Sequence, residues 1–175
     1  MSSFGFSVLF VVFFALTLGL RFWLANRHIR HVLRHRAGVP AEFAPKVPLA
    51  AHQKAADYTV AKTRLGLVSL LWGGLVLVGF TLLGGLQALS NALLTVTGPG
   101  LYHQLALVAA FAVLSALLDL PLDWYRQFVQ EERFGFNKMT PALWLADLAK
   151  GALMGAVIGL PLLWVILALM EKSGE

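Results

Sequence analysis

Two clusters of side chains in this sequence have the types and spacing for chemistry. His31 and His35 are four residues apart, so on a helix their imidazoles share a face, with His28 one turn earlier. A zinc ion can use that spacing. The residue after His31 is Val32, however, so the HExxH pattern that brings a catalytic glutamate is absent there. Arg27, Arg30, Arg34 and Arg36 crowd the same segment and would repel a dication. A basic helix against anionic headgroups suits these residues better, each base near the surface contributing about 1 kcal/mol. In the second cluster Asp119 and Asp123 are also four apart, with Arg126 within a turn of Asp123. Paired carboxylates can act as acid and base or hold a cation. The plainer reading is a polar cluster at a cavity or interface, with Arg126 neutralising the charge. Of the two acids Asp119 lies deeper and is the better candidate for a wet interior. His103, beside Tyr102, reads as an interfacial residue. There is no glycine-rich phosphate loop, serine nucleophile elbow or nucleic-acid motif. The chain also has no cysteine, which excludes disulfides, thiolate metal sites and a cysteine nucleophile. No catalytic, cofactor-binding or metal-ligating residue is therefore assigned.

The elements that must position these clusters belong in lipid. Of 175 residues, 58% are hydrophobic and 13% charged, against about 25% charged in soluble domains. The net charge of +5 comes from bases clustered beside apolar runs. That pattern follows the positive-inside rule and argues against a nucleic-acid partner. Phe4 to Leu20 is uninterruptedly apolar and continues past Arg21 through Phe22, Trp23 and Leu24, enough for a core that needs about 20 residues. No base precedes this run, so it reads as an uncleaved anchor with the N-terminus outside. Leu65 to Leu86 is 22 residues without a charge and rich in glycine, as helices that pack closely in membranes are. A third span begins at Leu101 and is expected to kink at Pro121. A fourth covers Gly151 to Met170, with Gly151, Gly155 and Gly159 repeating every four residues and Pro161 expected to bend it.

The bases set the orientation. Arg21, Arg27, Arg30, Arg34, Arg36, Lys46, Lys54, Lys62 and Arg64 are nine of the 14 Lys and Arg, whereas Gln87 to Gly100, read as a loop, carries no charge. The chain thus reads as an all-α polytopic membrane bundle of about four transmembrane helices with cytoplasmic helical loops. The spans lie near residues 4–24, 65–86, 101–120 and 148–170, and the cytoplasmic segments are 25–64 and 121–147. Pro40, Pro45 and Pro48 divide the first cytoplasmic segment into a basic helix near Asn26 to His35 and a second near Leu49 to Arg64.

Between the third and fourth spans, Tyr125 to Trp144 forms an elbow. Gly135, set between Phe134 and Phe136, should stop the incoming helix, because glycine tolerates the left-handed geometry of a helix end. Thr140 followed by Pro141 should open the next, the hydroxyl capping a free N–H and proline filling the first helical position. Glu131, Glu132, Arg133 and Lys138 should keep the elbow at the water boundary, since a charge at the bilayer centre costs about 2.5 to 3.5 kcal/mol.

The run Glu132, Arg133, Phe134, Gly135, Phe136, Asn137, Lys138, with Thr140, Trp144, Asp147, Lys150 and the later Gly159 to Leu163, resembles the N-terminal membrane region of type I CAAX prenyl proteases. The stretch Arg27 to Arg36 followed by Val39, Pro40 and Phe43, and then Ala56, Tyr58, Thr59, Lys62 and Arg64, resembles that family's first cytoplasmic loop. The resemblance implies integral-membrane zinc metalloendopeptidases, with a ring of helices around a water-filled chamber. Their zinc is held by the two histidines of HExxH and a downstream glutamate. It also implies peptide or prenylated-protein substrates and, for a bacterial member, an inner-membrane location. None of the five histidines here begins or ends an HExxH motif. The expectation is therefore a membrane scaffold that is inactive alone. Zinc is expected in a missing catalytic half, a C-terminal metallopeptidase domain of the same polypeptide. The alternative is a free-standing four-helix membrane protein, a small transporter or assembly partner without peptidase activity.

Overall fold

The computed structural model describes residues 2–173, and every regular element in them is helical. Helix α1 spans Ser3–His35, α2 Leu49–Thr81, α3 Gly85–Thr97 and α4 Leu101–Tyr125, which continues through a π-helical turn at Arg126–Glu131. Helix α5 spans Pro141–Met154 and runs through a second π-helical turn, Gly155–Gly159, into α6, Leu160–Ser173. Four continuous helical stretches are long and apolar enough to cross a membrane: Phe4–His35, Leu49–Thr81, Leu101–Glu131 and Pro141–Lys172. The chain is therefore an all-α, integral membrane protein. Large apolar side chains face outward along all four, for example Phe4 at 77%, Leu75 at 67% and Leu162 at 59% exposure. Such surfaces are stable against hydrocarbon or against further apolar helices.

The helices outrun the apolar spans because backbone hydrogen bonding continues into polar sequence. The basic segment to His35 is the end of α1, and the polar stretch from Leu49 to Arg64 is the beginning of α2. Pro48 opens α2, its carbonyl accepting from the N–H groups of Ala51 and His52 at 3.0 and 3.1 Å.

The chain divides into two compact units. The first comprises Met1–Leu75 and Phe128–Phe136. Here α1 meets α2 where the Phe14 ring lies over Gly74, 3.0 Å from where a β-carbon would stand. Its buried apolar residues are Ile29, Ala56, Val60, Leu65 and Phe134. The second comprises Val76–Gln127 and Asn137–Glu175, in which α4 packs against both α3 and α6.

The second unit corrects one expectation. The uncharged stretch read as a loop is the 13-residue helix α3. Glycines punctuate both of its ends, which gave the sequence the look of a loop. Leu86, Leu89 and Leu93 nevertheless keep helical spacing. Gly84 turns the chain with φ +79°, and a β-carbon on Gly85 would stand 2.7 Å from the Gly79 carbonyl oxygen. Only glycine fits there.

Candidate functional site

The elbow is built from its backbone outward. Helix α4 ends in a Schellman closure: Gly135, at φ +72°, donates its N–H to the Glu132 carbonyl at 2.9 Å, and Phe136 donates to the Glu131 carbonyl at 2.9 Å. The two bonds satisfy carbonyls that the helix end would otherwise orphan.

The closure presents two rings to Tyr58 of α2. The Tyr58 ring meets Phe134 and Phe136 edge-on, with centroids 5.2 and 4.8 Å apart. Its hydroxyl donates to Glu131 Oε1 at 2.7 Å. Phe134 is buried, and Arg133 lies over its ring at 5.7 Å. Lys54 and Lys62, one turn either side of Tyr58, place their ammonium groups 5.4 Å from the Phe136 centroid and 5.7 Å from the Tyr58 centroid. One face of α2 thus reads lysine, tyrosine, lysine against an aromatic and acidic elbow. Gln130, within the π-helical turn, is buried, and its Nε2 has no acceptor among the described residues. Glu132 is exposed.

In the second unit, Asn137 leads into α5. Its Oδ1 accepts from Gln127 Nε2 at 2.6 Å and from the Met139 backbone N–H at 2.8 Å, an Asx turn. Thr140 then caps α5, its hydroxyl accepting from the Leu143 N–H at 3.2 Å, with Pro141 at the first helical position. Trp144 meets Trp124 edge-on at 5.3 Å. Asp147 lies 3.8 Å from Lys150, a loose pair on an exposed face.

The remaining candidates separate. Asp123 accepts from Arg126 Nη1 at 2.8 Å, which fits a neutralised charge pair. Asp119 is exposed and forms no ion pair among the described residues.

His35 of α1 and His52 of α2 bond to backbone through their rings. The His35 Nδ1–H donates to the His31 carbonyl at 2.8 Å, and the His52 Nε2–H donates to the His35 carbonyl at 2.9 Å. A carbonyl only accepts, so those ring nitrogens carry protons and are not free to ligate. No three His, Cys, Asp or Glu among the described residues gather closely enough to hold a metal ion. These side chains do not fit a zinc site.

Two features escaped sequence reasoning. Arg36 and Asp57 form a two-pronged pair, Nε to Oδ1 at 2.7 Å and Nη2 to Oδ2 at 2.8 Å, tying the end of α1 to α2. The hydrogen bonds that Arg36 donates to Asp57, and the carboxylate's charge, hold the Arg36 guanidinium above its already high range. The available signal was that Asp57 is the lone acid between Glu42 and Asp119. His103, read as an interfacial residue, is buried in the second unit. Thr97 Oγ1 donates to the Leu93 carbonyl at 3.0 Å, which leaves its oxygen to accept from His103 Nδ1–H at 3.3 Å. His103 Nε2 then accepts from the Ser90 hydroxyl at 3.0 Å. These partners escaped notice because α3, which supplies Ser90 and Thr97, was read as a loop.

Comparison with known proteins gives this geometry a family. CAAX prenyl protease 1 of Saccharomyces cerevisiae is 32% identical over 129 residues, covering 68% of this chain and 28% of that protein. The CAAX prenyl protease 1 homolog of Caenorhabditis elegans is 26% identical over 170 residues, covering 96% of this chain and 38% of that protein. The chain thus spans roughly a third of the length of these relatives. The crystal structure of S. mikatae Ste24p superposes with a TM-score of 0.84 at 24% identity, covering 92% of this chain and 38% of that one, and shows the same fold. A family profile described as the CAAX prenyl protease N-terminal region, with five membrane helices, matches residues 28–175. Four helices here have spanning length, while α3, at 13 residues, is about 20 Å long. By that match the chain belongs to the family of CAAX prenyl protease N-terminal membrane regions.

Proposed function

We propose that this chain is the membrane scaffold of a zinc endopeptidase, forming part of the wall of an intramembrane chamber and fixing its height in the bilayer. The observation that carries this reading is the family match across residues 28–175. Relatives with that region are CAAX prenyl proteases by name, so a peptide or prenylated-protein C-terminus is the substrate class proposed. Among the described residues no three His, Cys, Asp or Glu gather to hold a metal ion, and zinc with its ligands is proposed for a C-terminal metallopeptidase domain of the same polypeptide.

Within this division the chain's residues hold and orient. Tyr58, Glu131, Phe134, Gly135 and Phe136 lock the elbow to α2, and Asn137, Thr140 and Asp147 set the start of α5. Asp119, Asp123 and Arg126 are proposed as polar lining at the water boundary. The base distribution supports a cytoplasmic position for segments 25–64 and 121–147 and an outside N-terminus, and the proposed location is a bacterial inner membrane. The comparisons do not favour a free-standing transporter or assembly partner.

The open reading frame is the test. It should continue past Glu175 into an HExxH motif and a later glutamate, and its purified product should remove the terminal tripeptide of a farnesylated peptide, with loss under a zinc chelator. A frame without such a motif, or cleavage indifferent to chelation, would refute the proposal.

A further inference from the structure

Helix α1 carries a surface that nothing in the peptidase reading uses. Trp23, Arg27, Arg30 and Arg34, with His31 at the edge, line an open groove of about 440 Å³. At about 100° per residue the first four fall within an arc of roughly 60°. The residues of α1 that pack, Phe14, Leu18, Ala25, Ile29 and Val32, lie on the opposite side. Arg27 stands over the Trp23 ring at 5.6 Å. None of Arg27, Arg30 and Arg34 has a carboxylate partner among the described residues, whereas Arg36, on the packed side, is matched to Asp57. No acidic residue occurs before Glu42. This face therefore concentrates three uncompensated guanidinium forks, each shaped for a phosphate.

Its place along the helix selects the occupant. The groove continues directly from the apolar run ending at Leu20, whose Phe13, Leu16 and Leu20 are exposed. Trp23, 52% exposed, sits where aromatic side chains mark the bilayer interface. Arg27 to Arg34 rises about 10 Å, against a headgroup layer of about 5 to 8 Å per leaflet. Long arginine side chains bridge that difference by snorkelling. A phosphate carried on a lipid is delivered at this depth.

We propose that Trp23, Arg27, Arg30 and Arg34 form a binding site for the headgroup of an anionic phospholipid, with the indole setting the depth and the guanidinium groups holding the phosphate. The proposal stands apart from the peptidase reading. The 175-residue chain is placed in nanodiscs of phosphatidylcholine mixed with phosphatidylglycerol, and native mass spectrometry measures the phosphatidylglycerol it retains on release.

The R27Q/R30Q/R34Q chain should retain this lipid roughly a hundredfold more weakly, about fivefold for each base. The R21Q/K46Q/K138Q chain, with the same charge lost elsewhere, should retain it as the wild type does. Equal loss in both would reveal a diffuse charge effect and overturn the site. Preference of the wild type for inorganic phosphate over phosphatidylglycerol in detergent would assign a soluble anion and overturn the lipid. A second measurement needs no arginine variant. Phosphatidylglycerol brominated on its acyl chains should quench tryptophan fluorescence more than brominated phosphatidylcholine, and the excess should vanish in Trp23→Phe. Equal quenching by the two lipids would also overturn the proposal.

Discussion

Tyr58 holds the elbow by three contacts that a single atom deletion can separate. Tyr58→Phe keeps the edge-on packing on Phe134 and Phe136 and removes only the bond to Glu131. It should cost about 1 kcal/mol, less than the ~1.5 to 3 kcal/mol usual for a bond to a charged group, because the site is half open to water. A lowered midpoint of unfolding in mixed micelles would register that loss, and an unchanged one would place the hold in the rings alone. At Gly135 the cost is conformational. A β-carbon there meets nothing nearer than the Lys54 Nζ at 3.7 Å. Gly135→Ala should therefore lose about 1 to 2 kcal/mol through the left-handed backbone, and Gly135→Asn less, because asparagine tolerates that geometry. The need for glycine was legible from its setting between two phenylalanines at a helix end. The Tyr58 partnership was not, because it joins residues 73 positions apart, and no local period encodes such a distance.

Helix ends were legible at the elbow, where a breaker and a cap mark them. Thr140 and Pro141 start α5 by the chemistry their order announces, and Thr140→Ala should cost about 1 kcal/mol, seen as faster exchange of the Leu143 amide. The π-helical turns at Arg126–Glu131 and Gly155–Gly159 carry no such mark in the sequence. Helix α3 shows the converse failure, its leucine spacing outvoted by flanking glycines. Its approach from α2 gives a sharp contrast between two glycines. Gly85→Ala drives a β-carbon against the Gly79 carbonyl and should destabilise by about 1 to 3 kcal/mol, with the amides of α3 exchanging faster. Gly73→Ala enters open space and should leave the unfolding midpoint level or raised, since alanine favours the helix.

On the scale of the whole chain, the four apolar stretches and the sparse charge announced a membrane protein before any geometry. The absence of an HExxH motif directed attention to scaffolding. What composition could not supply was the tie between α1 and α2 through Arg36 and Asp57, a pair 21 residues apart. The account rests on the claim that these residues are a working part of a peptidase built in two pieces. Its most direct test is to express residues 1–175 and the HExxH-bearing remainder of the frame as separate polypeptides in one membrane and measure release of the tripeptide from a farnesylated peptide. The account predicts cleavage only when both are present, with neither active alone. Full activity from the remainder without this chain would contradict it.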